Sequence, residues 1–161
     1  MPNTRLTLRR LALAMPFVFL VHMAEDSSGL VEWFNARVEP DVTMRLFLVA
    51  NGASFLITTV IAIQLAIVRE RVAAVIALAW IGFAMLANAV YHIIAAFADR
   101  AWVPGLATSL LLYLPFSIAL IGASAVERRI TRATAVSVML AGGIPMYVHG
   151  WLVVFEGTRL F

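Results

Sequence analysis

The chain has 161 residues, of which 63% are hydrophobic and 13% charged, and its mean hydropathy is +0.95. Too few polar residues remain to cover a water-soluble globule, so a single integral membrane domain over 1–161 is implied. The net charge of +3 comes from arginine without lysine, scattered at the ends of apolar runs, which argues against nucleic-acid binding; the absence of cysteine excludes disulfides and thiolate chemistry.

Five apolar runs, roughly 8–24, 42–68, 72–98, 104–125 and 133–155, predict an all-α polytopic bundle of about five transmembrane helices. The first run follows Arg5, Arg9 and Arg10 and imitates a secretory signal. His22-Met23-Ala24 makes a poor cleavage site, so the run is read as an uncleaved span. Next comes a segment too short to span, about 28–39, where Leu30, Phe34 and Val38 recur at i, i+4 and i+8. That spacing predicts an interfacial helix lying over the outer end of the bundle, with a solvated loop as the alternative. The second run carries Asn51, Ser54 and Thr58, and the third Asn88 and His92. The fourth follows Trp102-Val103-Pro104-Gly105 and carries Ser109, Tyr113 and Ser117, read as packing hydroxyls. The fifth holds Gly142-Gly143, Tyr147 and His149, and Pro16, Pro115 and Pro145 predict kinks inside spans.

Alternating the runs through a bilayer places Arg5, Arg9, Arg10, Arg69, Arg71, Arg128, Arg129 and Arg132 on one side. The positive-inside rule makes that side cytoplasmic, with the N-terminus inside and the C-terminus outside. Trp33, Trp102 and Trp151 then fall at the outer interface, where indoles are favoured. Abundant alanine, valine and arginine without lysine suggests a bacterial chain of high GC content, hence the bacterial cytoplasmic membrane.

The same threading brings the chain's three histidines to one depth. At 1.5 Å per residue, His22, His92 and His149 lie about 8–10 Å outward of mid-span and Asn51 about 6 Å. A polar group in hydrocarbon is costly and is normally kept for a pathway or a ligand site, so three at one level point to a shared site. His22-Met23-Ala24-Glu25-Asp26 adds two carboxylates within a turn, and i, i+3 is a spacing by which helical bundles aim two ligands at one ion.

The expected site therefore has His22, His92 and His149 holding a divalent metal such as zinc or iron. Glu25 activates water, Asp26 or Asn88 orients the shell, and Asn51 and Tyr147 make outer or substrate contacts. This describes a small membrane enzyme, a metal-dependent hydrolase or oxidoreductase, whose lipid or other apolar substrate enters laterally. A metal-free acid–base isomerase or cyclase is the alternative, and a haem-binding, metal-binding or transport protein a third.

The His22-Met23-Ala24-Glu25-Asp26 segment, His92 preceded by Asn88, and Trp102-Val103-Pro104-Gly105 resemble the HXXEE-motif family of bacterial integral membrane proteins. That family is described by a His-x-x-Glu-Glu motif, a further histidine and a Tyr-x-Pro-Gly motif. The resemblance covers about 10–157 and implies that His22, Glu25 and His92 belong to an enzymatic site. Asp26 stands in place of the second glutamate and Trp102 in place of the tyrosine.

Overall fold

Residues 7–39, 41–127 and 130–160 are described by a computed structural model of the chain. Arg5, Arg128 and Arg129, counted above on the basic side, lie outside the described residues. The described chain is helical throughout, without strands. Its helices are α1 Leu8–Asp26, α2 Leu30–Asn35, α3 Met44–Ile67, α4 Arg71–Asp99, α5 Leu106–Val126 and α6 Arg132–Glu156. Threonine hydroxyls start three of them: Thr7, Thr43 and Thr131 accept from the backbone N–H groups of Arg10, Leu46 and Thr134.

Helices α3 to α6 are long and apolar enough to cross a membrane. Helix α1 falls short of that set although it has 19 residues. Arg9, Arg10, Glu25 and Asp26 charge both its ends, and the apolar stretch between them rises only about 20 Å against a hydrocarbon core of about 30 Å. It packs along α3 and completes a bundle of five long helices. The basic ends gather together: the Leu8 N–H donates to Glu127 Oε1 at 2.6 Å, and Thr7, Arg9, Arg69, Arg71 and Glu127 line one recess.

Backbone approach between α4 and α6 sets the bundle's geometry. A Cβ on Gly82 would overlap the Met139 backbone, and one on Gly142 the Ala79 backbone, so glycine is required where these helices touch. In a membrane such small-residue contacts replace the hydrophobic drive that packs soluble helices. Around them Met15, Leu78, Ile81, Met85, Tyr113, Leu120 and Met139 are almost fully buried.

Three turns widen to π geometry, at Gly82–Ala87, Ser109–Tyr113 and Leu152–Glu156. The second has a local cause in Pro115, which lacks the N–H that would bond back to Leu111. Helix α2 is tied across the end of the bundle opposite the basic recess. Trp33 Nε1 donates to Asp99 Oδ2 at 2.7 Å, Arg37 pairs with the same carboxylate, and the Arg37 guanidinium sits 3.9 Å above the Trp33 ring. Beneath it Val38 packs with Tyr91 and Val153.

Candidate functional site

His22 and Asp26 stand one turn apart near the end of α1, so their side chains share a face. Facing them from α4 come Asn88 and His92, also one turn apart, just after the widened turn 82–87. His22 Nε2 lies 3.3 Å from Asp26 Oδ2, and His92 Nε2 lies 3.6 Å from Asp26 Oδ1. One ligand atom from each of the three residues falls within 4.8 Å of the others, and all three side chains are buried. Asp26 Oδ1 accepts no hydrogen bond among the described residues.

Glu25 points elsewhere. Its carboxylate accepts from the backbone N–H groups of Ala107 and Thr108, at 3.1 and 2.8 Å, and so caps the start of α5, where the N-terminal dipole favours an anion. The Thr108 hydroxyl also donates to Glu25 Oε2 at 2.6 Å, which leaves its oxygen to accept from His22 Nδ1 at 2.7 Å. An ionised carboxylate only accepts and a hydroxyl has one proton, so this chain satisfies its donors when His22 is protonated at Nδ1. The Nε2 lone pair is then aimed at Asp26 and at the Asn88 amide, whose Nδ2 lies 3.2 Å away. Orienting a ligand imidazole through its other nitrogen is the usual way that a metal site fixes a tautomer. For a metal held by this group, Thr108→Val is expected to lower the affinity about 10- to 100-fold while the helical content persists, and Thr108→Ser to restore it. Metal titration in detergent beside circular dichroism measures both.

The loop before α5 forms the site's wall. Gly105 adopts φ 85°, and a Cβ there would overlap Asp26 Oδ1 and the His92 ring. On the other side the Tyr113 ring lies against His22, tilted by 33° with ring centroids 4.1 Å apart.

His149 is not brought to this group, although its depth predicted a third ligand. It lies beyond Tyr91, whose ring centroid is 5.1 Å from that of His92 and 6.5 Å from that of His149, and its own ring stacks on Phe34 at 6.1 Å. Asp26, expected to orient the shell, joins His22 and His92 in the group that could hold a metal, and Glu25, expected to activate water, accepts from the start of α5. Asn88 sits against His22 as an orienting contact. Asn51 lines a cavity of about 360 Å³ that also touches Asp26, Asn88 and His149, while its amide donates to the Phe47 carbonyl at 3.0 Å. Tyr147 lines a separate recess with Val90 and Trp151. Reading the sequence overlooked Thr108, Gly105 and the Tyr113 ring; the glycine of Trp102-Val103-Pro104-Gly105 was the available signal for the wall.

A family model described as a protein of unknown function with an HXXEE motif matches residues 13–120. The chain belongs to that family. No curated protein and no solved structure matches it. In this HXXEE protein the motif positions divide their tasks, His22 and Asp26 facing the site and Glu25 the helix that carries its wall. The matched region contains every residue of the His22, Asp26 and His92 group together with Gly105 and Thr108. Helix α6, with Tyr147 and His149, lies beyond it.

Proposed function

We propose that this HXXEE protein is a membrane enzyme that holds one divalent metal ion between His22, Asp26 and His92 and acts on a lipid or other apolar substrate. The observation that carries this reading is the convergence of a histidine lone pair and an unsatisfied carboxylate oxygen in a buried site, beside a second imidazole. A positive charge between them removes the cost of burying them unpaired. The separations of 3.3 and 3.6 Å match the roughly 3.3 Å edge expected of a tetrahedral shell with ligand distances of about 2.0–2.1 Å. Two imidazoles and one carboxylate suit zinc or non-haem iron, and leave coordination positions open.

Such an ion supplies Lewis acidity at a polarised bond. The chain's own residues orient and exclude: Thr108 fixes the His22 tautomer, Tyr113 covers the imidazole face, and Gly105 admits the loop to close one side. Asp26 and Asn88 also line the apolar cavity, which favours a substrate drawn from the bilayer. The gathering of arginines at the opposite end supports an N-terminus inside the bacterial cytoplasmic membrane and a site in the outer half of the bilayer.

A metal-free acid–base isomerase or cyclase has one observation in its favour, since the Asn88 amide is placed to donate to the His22 lone pair that a metal would use. Elemental mass spectrometry of the protein purified in mild detergent separates the two. Near-stoichiometric zinc or iron, removed by a chelator with a fall in Tm, is the expected result. Protein that stays metal-free after reconstitution overturns the metal reading in favour of proton transfer.

A further inference from the structure

The cavity beside the site has two polar corners of different character. One is the site's own edge, Asp26 and Asn88. The other is His149 with Arg159, separated from the first by Tyr91, and between them the wall is hydrophobic, with Leu46, Phe47 and Met146. Arg159 is partly buried, lies in the segment that follows α6, and makes no ion pair or hydrogen bond among the described residues. That segment folds back on the α2 side: the Thr158 N–H donates to the Leu152 carbonyl, and Gly157 approaches the Arg37 carbonyl. A guanidinium kept at the rim of an apolar cavity without a carboxylate is placed to receive an anion from outside, by charge-assisted hydrogen bonds.

The cavity also faces hydrocarbon. Helix α3 makes no substantial contact with α6, while Leu46, Leu48 and Val49 are exposed on it. A gap of this kind between membrane helices admits a chain sideways. At about 360 Å³ the cavity lies at the low end of small-molecule sites, enough for one chain rather than two.

We infer that the cavity binds a membrane lipid with a single apolar chain and an anionic head, the head held by Arg159 beside His149 and the chain lying against Phe47 and Met146. Lying there, the chain runs from the head toward Asp26 and Asn88. This names the substrate class of the proposed enzyme and rests on that reading for its chemistry, but the binding itself requires no turnover.

The probe is radiolabelled oleate, titrated onto the full chain in dodecyl maltoside, with oleyl alcohol as the uncharged match and dioleoyl phosphatidylglycerol as the two-chain competitor. Saturable binding of one oleate is expected, weakened about 10-fold or more by Arg159→Gln and largely restored by Arg159→Lys, with oleyl alcohol insensitive to both. Ala50→Trp, at an exposed position lining the cavity, is expected to block both single-chain probes without disturbing the fold. Equal binding of acid and alcohol, or no effect of Arg159→Gln, overturns the anion assignment. Effective competition by the two-chain lipid overturns the single-chain assignment, and unchanged binding in Ala50→Trp overturns the location. Oleate bound normally by His92→Ala protein that has lost its metal supports the cavity as a separate element, so failure of the metal reading is distinguishable from failure of this one.

Discussion

Asp26→Asn and His92→Ala are expected to lose bound metal, each with an affinity at least about 100-fold lower, whereas His149→Ala keeps a full complement. The magnitude follows because loss of even an outer partner typically costs 10- to 100-fold, and in the proposed site these residues would supply ligand atoms directly. Asp26 carries the sharper test. Asparagine preserves its size and removes the charge that a cation neutralises, so a loss of metal cannot be assigned to a cavity in the packing. His149→Ala is the control, since His149 stands behind Tyr91 and stacks on Phe34. The measurement is elemental content after equilibration with a competing chelator, with circular dichroism to show that each variant retains its helices. Metal lost equally from His149→Ala and His92→Ala would restore the three-histidine site and overturn the geometry described here.

The contrast between these histidines shows what a membrane sequence makes legible. Depth is readable, because each helical residue rises 1.5 Å and the runs can be threaded in alternation. Direction around the bundle is not, because it depends on how helices rotate against one another. Here that rotation is governed by the glycine contacts between α4 and α6 and by the widened turn before Asn88, neither of which leaves a mark in hydropathy. The threading puts all three histidines at one depth, but only His22 and His92 converge on one group. The same limit applies within one turn of α1. Glu25 and Asp26 are neighbours in sequence and about 100° apart around the helix, so one faces His92 and the other the start of α5. The i, i+3 pair drew attention because it is a known ligand spacing, but i, i+4 is the pair that meets. The helical class, the long apolar helices and the family were all readable, since they rest on composition and short motifs. Thr108 was not, because one threonine at a helix start is ordinary until its partners across the bundle are known.

Gly105→Ala is expected to damage both the fold and the site. Two costs combine at this position. At φ 85° the backbone is left-handed, which disfavours any residue with a Cβ by about 1–2 kcal/mol. The added methyl would also overlap Asp26 Oδ1 and the His92 ring, and overpacking of this kind costs about 1–3 kcal/mol more. A total of about 2–5 kcal/mol corresponds to a Tm lower by about 4–20 °C for a chain of this size. The position of the clash adds a functional signature, because relieving it requires Asp26 and His92 to separate, and metal should be lost even below the temperature at which the helices melt. Gly122→Ala is the matched control: it lies inside α5, nothing stands within 4 Å of the added methyl, and alanine is the better helix former, so Tm should hold or rise slightly. Wild-type Tm and metal content in Gly105→Ala would mean that the loop before α5 does not press on Asp26 and His92, and that the wall of the site is formed by something else.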